Sequence, residues 1–489
     1  MRVRILTRAS DLARLQGHLV QRRLADIGIR AELMTRESSG DRDGATPLWQ
    51  LGDKGVFTAD LSDALARGDA DLVVHSWKDL PIEPRRDTVV SATLPRGDAR
   101  DVLLVRHDVV AKRAAWLKIL SSSPRRALML GELLPTFLPW PVETIEFAPV
   151  RGNVPTRLRH LLDGAGDALV IAKAALDRLL DPPSPFSDAA AFIRDAMDRC
   201  HWMVLPIREH PSAAGQGALA LEVARSNRAL QDALTRVNHG PTWRSVHQER
   251  EALAGYGGGC AQAIGITVLP LPFGTVTSLR GRADSGEELQ KWSLDASGPV
   301  LPKARLSAVW PRPDECDRAT RQAFPVSDPG DDRGLYATRA EALPATWQVE
   351  AGRIVWVAGS STWRKLAARG IWVHGSAEGL GTFDPSAVDR LAGRAMTWHR
   401  LTHARAEVPD ALATYDAESP LPADLAKRSH FFWRSASEYR LALAAAPEIR
   451  DRWHACGPGQ TFDVVQRLSG SPHVRPYLTY DHWLEDIRE

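Results

Sequence analysis

The stretch DADLVVHSWKDLP, residues 69–81, joins a strand pattern to a charged turn. The run DLVVHS is typical of a buried strand, and the Lys78–Asp79 pair follows it directly, before Pro81 ends the turn. In open α/β sheets, ligands bind beside the carboxyl ends of strands. A carboxylate there can hold N–H donors or balance a developing cation, although a bare lysine–aspartate pair is more often a salt bridge in a surface turn.

Strand and helix patterns alternate on both sides of this stretch, from the N-terminus to about residue 220. Runs bounded by turn residues indicate strands at Val3–Leu6, Ala31–Thr35, Asp71–His75, Val102–Val105 and Ala168–Ile171. Apolar residues at helical spacing indicate helices at Leu12–Ile27 and Phe57–Arg67. This alternation predicts an open α/β fold whose ligand binds at strand ends, often between two lobes.

Arginine recurs in three loops that each follow a predicted strand or open a predicted helix. The loops are Thr7-Arg8-Ala9-Ser10, Ser122-Ser123-Pro124-Arg125-Arg126 and Arg151-Gly152-Asn153-Val154-Pro155-Thr156-Arg157. Arginine binds carboxylate or phosphate through paired hydrogen bonds, and helix N-termini supply further donors for the same anions. Any one loop alone is as well explained by solvated surface arginine, but together the three indicate a site for a small polyanion.

A glycine run surrounds one cysteine in GYGGGCAQAIG, residues 255–265. The glycines leave the thiol of Cys260 without side-chain cover, as a thiol nucleophile or a covalent attachment point requires. The run is not a dinucleotide-binding fingerprint, because no strand–loop–helix unit surrounds it. Taken alone, the run favours a flexible hairpin loop over a reactive site.

Composition restricts the class of protein. A chain of 489 residues is longer than one core usually organises, so about two to four domains are expected. The net charge of +2 argues against nucleic-acid binding through bulk charge. No apolar run approaches the ~20 residues that span a bilayer, and no signal-peptide core follows the first arginines. The four cysteines lack a CxxC pair, which predicts a cytoplasmic protein with reduced thiols.

Further along the chain, a helix at Ser245–Leu253 precedes the glycine run, and alternating stretches up to Pro299 indicate a small sheet. The segment Pro311–Asp332 is rich in proline, aspartate and arginine, which predicts a linker. Strand patterns resume at Gly334–Thr338, Ile354–Ala358 and His430–Arg434.

Eight ordered motifs resemble hydroxymethylbilane synthase, the porphobilinogen deaminase family. They are TRAS (7–10), LGDKGVFTADL (51–61), DADLVVHSWKDLP (69–81), LPRGDARDVLL (94–104), SSSPRRA (121–127), RGNVPTRL (151–158), GQGALALE (215–222) and GGGCAQAIG (257–265). The resemblance covers most of residues 1–300. It implies two periplasmic-binding-protein-like α/β domains, 1–102 plus 203–221 and 103–202, and a small α+β third domain, 222–305, that carries the cofactor cysteine.

The resemblance also implies the chemistry. Family members carry a dipyrromethane on the cysteine, here Cys260, add four porphobilinogen molecules head to tail with loss of ammonia, and release a linear tetrapyrrole by hydrolysis. The implied catalytic residues are Asp79 and Lys78, which also contact the cofactor together with Ser123, Arg125, Arg126 and Arg151. The implied substrate-binding residues are Arg8, Ser10, Lys54, Phe57, Arg151, Arg157, Arg178 and Gln216. The family further implies a monomer without metal, nucleotide, nucleic acid or membrane partner.

Three departures from the family pattern stand out. GDKG replaces the commoner GGKG, with Gln50 where a lysine is frequent. SSPRR replaces SSLRR, and CAQAIG replaces a CQVPIG-like stretch. Because the thiol, the glycines and Asp79 are all kept, we expect a competent enzyme.

After a linker at 306–333, residues 334–489 resemble uroporphyrinogen-III synthase, the next enzyme of the pathway. The stretches 354–381 and 453–487 share a strand, a glycine-bearing loop and a helix, and FFWRSASEYRLAL (431–443) precedes the second. The resemblance implies two α/β lobes that hold the tetrapyrrole between them, with pocket residues Ser435, Ser437, Tyr439 and Thr461. Because the first lobe looks abbreviated, the alternative is an accessory domain that only packs or dimerises.

Two other classes remain open from the residues alone. One is a two-lobed module that only captures an organic anion, which has no use for an exposed thiol coupled to an aspartate at a strand end. The other is a thiol-dependent acyl transferase, which needs a histidine base near Cys260, with His201, His210 and His247 as candidates.

Overall fold

The computed structural model describes residues 1–37, 58–182, 185–257, 262–316, 320–350, 352–381, 386–418, 420–470 and 472–489. Over these ranges the chain forms two N-terminal lobes, a small third domain and two C-terminal lobes, each built on its own sheet. Every strand predicted from the sequence is present, with its bounds shifted by one or two residues. The α/β alternation is therefore confirmed.

The N-terminal lobes use the first half of the chain. The first lobe contains β1 (Arg2–Arg8), α1 (Asp11–Asp26), β2 (Arg30–Arg36), α2 (Ala59–Ala66), β3 (Leu72–Ser76) and β4 (Thr88–Ala92). The second lobe contains β5 (Asp101–Arg106), α3 (His107–Lys112), β6 (Trp116–Leu120), α4 (Pro124–Phe137), β7 (Thr144–Ala148), α5 (Val154–Leu162), β8 (Ala168–Ala172), α6 (Lys173–Leu180), α7 (Ser187–Asp198) and β9 (Cys200–Val204). The chain then returns to the first lobe as β10 (Leu219–Ala224) and α8 (Arg228–Leu234).

Both lobes have the same sheet topology. The strand order is β2-β1-β3-β10-β4 in the first lobe and β7-β6-β8-β5-β9 in the second. In each sheet the fourth strand, β10 in the first lobe and β5 in the second, is antiparallel to both of its neighbours. It is also the first strand that the chain forms after it crosses from the other lobe. The first three strands of each sheet are parallel. Their carboxyl ends therefore share one edge, where such sheets bind ligands.

Two chain crossings, residues 93–100 and 205–218, join the lobes and are hydrogen-bonded to each other. The N–H of Gly97 donates to the carbonyl of Gly217 at 3.1 Å. Gly217 has a φ of +84°, and a Cβ at this position would lie 2.5 Å from the Gly97 carbonyl oxygen. The crossing therefore needs glycine both for its conformation and for the close approach of the two backbones.

Replacing Gly217 by alanine is expected to lower the free energy of unfolding by about 1–3 kcal/mol, because the new Cβ clashes with backbone in a strained conformation. Gly131 is a matched control, since it lies within α4 and a Cβ there meets nothing within 4 Å. Gly131→Ala is expected to stabilise the protein by about 0.5–1 kcal/mol through helix propensity. Urea unfolding of both variants checks this, and equal behaviour of the two would contradict the proposed constraint.

The third domain consists of α9 (Gly240–Gly255) and an antiparallel sheet of β11 (Ala263–Leu271), β12 (Gly274–Arg282) and β13 (Glu288–Ala296). Glu249 of α9 is fully buried and accepts hydrogen bonds from both terminal nitrogens of Arg96, at 2.6 and 3.0 Å. It also accepts from the N–H of Gly215 at 2.7 Å. Because Arg96 and Gly215 belong to different crossings, this carboxylate ties the third domain to both of them.

The C-terminal region has two α/β lobes, whose sheets are parallel except for one antiparallel edge strand. Its first strand, β14 (Val309–Trp310), belongs to the last lobe. The first C-terminal lobe contains β15 (Thr320–Ala323), β16 (Gly334–Ala337), β17 (Val355–Val357), α10 (Ser360–Ala367), β18 (Gly375–Ser376), α11 (Ser386–Ala392), β19 (Trp398–His403) and β20 (Ala411–Glu418). The second is completed by β21 (His430–Trp433), α12 (Ala436–Ala445), β22 (Trp453–Cys456), α13 (Gln460–Ser469), β23 (Val474–Pro476) and α14 (Tyr480–Ile487).

Several boundaries differ from those expected. The segment 306–333, predicted as a linker, supplies β14 to one C-terminal sheet and β15 to the other. These strands are only two and four residues long, too short to show apolar periodicity. The first C-terminal lobe has a six-stranded sheet and is not abbreviated. In addition, β10 and α8 belong to the first lobe, so the third domain begins near Gly240 and not at residue 222.

A continuous apolar core joins the second lobe to the first C-terminal lobe. Trp363 of α10 is fully buried, its ring lies 5.0 Å from that of Phe137, and its Nε1 donates to the Phe137 carbonyl at 3.1 Å. The Nε1 of Trp372 likewise donates to the carbonyl of Trp202 at 2.9 Å. The two halves of the chain therefore pack as one body.

Candidate active site between the first two lobes

The Lys78–Asp79 pair lies where β3 ends. Residues Trp77–Asp79 form a single 3₁₀ turn, and the side chain of Trp77 is buried beneath it. The Trp77 ring lies 5.4 Å from that of Trp243 and 5.5 Å from that of His247, both on α9. Packing against the third domain thus holds the turn in place and leaves Lys78 and Asp79 half-buried at the carboxyl edge of the sheet.

The ammonium of Lys78 lies among groups of both signs. Its Nζ is 3.3 Å from Oε1 of Gln216. Removal from water lowers the pKa of Lys78 to about 8, and nearby Arg126 acts in the same direction, while the carboxylates of Asp79 and Asp101 oppose the shift. Lys78 therefore changes its charge within the mildly basic pH range.

Arginines from both lobes gather around the same point. Burial, together with the guanidinium groups of Arg126, Arg151 and Arg8, lowers the pKa of Arg157 to about 10. The carboxylate of Asp79 opposes this shift. Since Arg8 belongs to the first lobe and the other three arginines to the second, the interlobe cleft is strongly cationic around Asp79.

Three of the predicted loops are helix N-termini. The Oγ atoms of Ser10 and Ser123 and the Oδ1 of Asn153 each accept a hydrogen bond from a backbone N–H in the first turn of α1, α4 and α5. The two serines named by the sequence pattern are therefore capping residues. Each cap places its helix N-terminus beside an arginine, so both favour the same anions.

A buried carboxylate that the sequence interpretation did not name, Asp101, holds the arginine pair of α4. It accepts from NH2 of Arg126 at 2.6 Å, from NH2 of Arg125 at 2.8 Å and from Nε2 of Gln216 at 2.9 Å. The Nε2 of His210 lies 3.0 Å from Oδ2. Burial alone raises the pKa of Asp101, but the two guanidinium groups outweigh it and hold that pKa well below its usual range. Asp101 occurs in the LPRGDARDVLL motif, yet nothing local distinguishes it from Asp98.

The remaining predicted residues lie at different depths. Arg125 is buried, and its NH1 donates to the carbonyl of Pro211 at 2.7 Å, so both terminal nitrogens are bonded within the protein. Arg178 lies at the crossings, where its NH2 donates to the Gly217 carbonyl at 2.6 Å. Cys260, Lys54 and Phe57 fall outside the described residues.

A second cleft separates the C-terminal lobes. The His403 side chain at the end of β19 lies 3.4 Å from Ser437 Oγ, which in turn lies 3.0 Å from Ser435 Oγ. A Cβ on Gly381 would lie 2.4 Å from the Pro458 carbonyl oxygen, so the loops after β18 and β22 also meet. The carboxyl ends of both parallel sheets therefore border this cleft.

The four predicted pocket residues do not all line this cleft. Ser435 caps α12, Ser437 contacts the opposite lobe, and Thr461 lies in the first turn of α13. Tyr439, in contrast, is fully buried in the core of the last lobe, with its ring 5.0 Å from that of Trp433. Helical spacing places Tyr439 on the inner face of α12, which the sequence motif alone did not show.

Around the first cleft, the arrangement suits a ligand with several carboxylates. Partly desolvated cations bind such groups strongly, while a half-buried carboxylate among them accepts N–H donors or offsets developing positive charge. The fold and site thus define a two-lobed α/β protein with a cationic, carboxylate-bearing ligand cleft.

Comparison with known proteins makes the class more specific. Residues 3–232 match the family model of the porphobilinogen deaminase, dipyrromethane cofactor-binding domain. The chain is 36% identical over 264 residues to porphobilinogen deaminase of Nocardia farcinica, covering 54% of this chain and 69% of that one. It is 33% identical over 348 residues to the enzyme of Acidothermus cellulolyticus, covering 70% and 93%. The chain belongs to the porphobilinogen deaminase family, the transferases of porphyrin biosynthesis that use a dipyrromethane cofactor.

Solved structures that align with the chain include the methionine-binding protein MetQ, at 11% identity and a TM-score of 0.29, covering 53% of this chain and 96% of that one. This likeness is too low to support a conclusion. Over the described ranges, no group of three histidine, cysteine, aspartate or glutamate side chains is placed to hold a metal ion. Nor does that part of the chain contain a helix long and apolar enough to span a membrane.

Proposed function

We propose that the chain polymerises four porphobilinogen molecules on a dipyrromethane primer carried by Cys260 and releases the linear tetrapyrrole by hydrolysis. The observation that supports this most directly is that Asp79, Arg8 and Arg126 all lie close enough to Arg157 to act on its charge, which brings groups of both lobes to one region of the interlobe cleft. A growing pyrrole chain with an acetate and a propionate on every ring needs such a density of cations. Its pyrrole N–H groups need a carboxylate beside them.

The residues present fit the cofactor. Arg157 lies among like charges, which an anionic ligand would offset. Arg126, Arg151 and Ser123 are the groups that would hold the primer's carboxylates, with donors of the α4 N-terminus beside them. When bound, the primer supplies a covalently held pyrrole end for elongation. The Asp79 carboxylate would orient N–H groups and offset positive charge, and Lys78 would contribute a mobile positive charge at its edge.

The intact mass of the purified protein tests this proposal. Wild type is expected to exceed its sequence mass by one dipyrromethane, and Cys260→Ala is expected to lack both the excess and the activity. Cys316→Ala is the control, since Cys316 is a partly exposed cysteine in the C-terminal half and the variant should keep the excess. If wild type stays unmodified after incubation with porphobilinogen, the proposal fails and a module that only binds organic anions becomes the better account.

The pH dependence of substrate binding should reflect the charge state of Lys78. Because its pKa is lowered to about 8, deprotonation above that pH removes a positive charge from the cleft. The KM for porphobilinogen is therefore expected to rise as the pH increases from 7.5 to 9. Lys78→Arg stays charged over this range and should flatten the rise. A wild-type KM that is constant over this range would rule out a charge role for Lys78.

We further propose that the C-terminal lobes cyclise the product, as a uroporphyrinogen-III synthase does. The supporting observation is that the carboxyl ends of the parallel strands of both C-terminal sheets face each other, with His403 of one lobe in contact with Ser437 of the other. Such a cleft offers backbone donors and hydroxyl groups to a large polycarboxylate, and the reaction depends on holding the chain in a folded shape. An accessory packing role is the competing interpretation.

Analysis of the oxidised products distinguishes the two. The full chain supplied with porphobilinogen is expected to yield mainly the macrocycle with an inverted last ring. Combined replacement of Ser437 by alanine and Thr461 by valine should shift the product toward the uninverted isomer without slowing porphobilinogen consumption. Tyr439→Phe is the control, because that hydroxyl lies in the core. If the wild type yields only the uninverted isomer, the C-terminal lobes have an accessory role and do not cyclise the product.

A further inference from the structure

The buried carboxylate of Asp101 connects the two lobes of the proposed site. Two adjacent guanidinium groups, Arg125 and Arg126, approach it together, and without an anion between them they would repel each other. Asp101 takes up the inner donors of both side chains. Asp101 therefore helps to orient the α4 N-terminal loop toward the cleft, together with the carbonyls of Pro211 and Val170, which accept from the same two side chains.

Asp101 also determines the orientation of the side-chain amide of Gln216. The Nε2 of Gln216 donates to Asp101 at 2.9 Å and to the Ala99 carbonyl at 2.7 Å, and both partners are acceptors only. The amide cannot flip without losing both bonds. Its Oε1 must then face the other way, where it lies 3.3 Å from Nζ of Lys78. The carboxylate thus acts across the crossing, from the second lobe to the turn that bears Asp79.

We propose that Asp101 is a positioning residue for porphobilinogen polymerisation, which orients the Arg125–Arg126 pair and, through Gln216, the ammonium of Lys78. This inference rests on the proposed function of the same cleft. Asp101 does not contact substrate, because it is fully buried beneath these side chains. The charged and titratable groups that face Lys78 are Asp79, Asp101, Arg125 and Arg126, and His210 also faces Asp101.

Asp101→Asn is the informative variant. It keeps the shape of the side chain but turns one acceptor into a donor that faces donors. The KM for porphobilinogen is expected to rise at least about tenfold, as for the loss of one charge-assisted hydrogen bond. The basic rise of KM should also begin at lower pH than in wild type, because the carboxylate that favours the charged form of Lys78 is gone. The rise of KM at basic pH is called the pH limb below. Loss of a purely structural residue would not shift the pH at which this limb begins.

Asp98→Asn is the matched control. Asp98 lies in the same crossing and is ion-paired with Arg100 at 2.6 Å and Lys173 at 3.7 Å, away from the α4 arginines. Rates are normalised to the fraction of protein that carries the primer by mass. Asp98→Asn should keep the wild-type KM and pH limb, whatever its stability. If Asp101→Asn shows the same KM and pH limb as wild type, the inference is overturned.

Two further variants keep the outcome decisive. If Asp101→Asn does not fold, Gln216→Met interrupts the same connection, and it should shift the pH limb in the same direction. An unshifted limb in Gln216→Met would then refute the connection. Asp79→Asn tests the proposed function separately. If that variant kept full activity, the interlobe cleft could not be the active site. If Asp79→Asn is inactive but Asp101→Asn has the KM and pH dependence of wild type, only the positioning role of Asp101 is rejected.

Discussion

Replacing Asp79 by asparagine is expected to lower kcat for porphobilinogen consumption by roughly 10²–10³-fold, the usual cost of removing one electrostatic group that acts on developing charge. The side chain keeps its size, but it no longer offsets positive charge among Arg126, Arg157 and Lys78. KM should change much less, because the arginines that we propose hold the substrate carboxylates remain. Steady-state kinetics on primer-loaded protein measure both constants.

Asp69→Asn is the control for this variant. Asp69 belongs to the same DADLVVHSWKDLP stretch, but it lies at the opposite end of β3, in exposed ion pairs with Arg36 and Arg67. Its kcat should equal that of wild type, since exposed pairs contribute little. If Asp79→Asn retained more than about a tenth of the wild-type kcat, another group would have to stabilise the charge.

Trp363→Ala is expected to destabilise the whole protein by about 3–5 kcal/mol, as large-to-small changes of buried aromatic residues do. Trp363 is fully buried and bonded through Nε1 to the Phe137 carbonyl, so the variant loses packing and leaves that acceptor unpaired. Because Phe137 belongs to the second lobe, deaminase activity and C-terminal structure should be lost together. Urea unfolding followed by activity and by circular dichroism measures this.

Trp116→Ala is the comparison, since Trp116, at the start of β6 in the second lobe, is 53% exposed. Its effect should stay within about 0.5 kcal/mol. An early transition in Trp363→Ala that spared the deaminase activity would show that the two halves unfold separately, contrary to the shared core.

Much of the site could be predicted from the sequence because its residues occur in short local motifs. Lys78, Asp79, Arg126, Arg151 and Arg157 each follow a strand or open a helix, and parallel strands bring such ends to one edge. Local patterns cannot show which arginines turn inward. Arg125 and Arg126 open the same helix, yet both turn inward, and the terminal nitrogens of both are bonded within the protein.

The hydrogen bonds that connect distant segments could not be predicted from the sequence, even where one partner, Gln216, was named as a site residue. Asp101 and Gln216 are 115 positions apart, and Arg96 and Glu249 are 153 apart. No periodicity marks such pairs, because each depends on where the crossings return. The short strands β14 and β15 were missed for a related reason: they exist only because β21 and β20 lie beside them.

The sequence by itself determined the α/β alternation, the strand-end position of Lys78 and Asp79, and the family, since all of these follow from residues that are neighbours along the chain. Only the folded chain shows that Asp101 joins the arginines to Gln216, that Tyr439 lies in a core, and that Trp363 packs on Phe137. The physical reason is that burial and hydrogen bonding between remote segments depend on chain crossings, which no local pattern encodes.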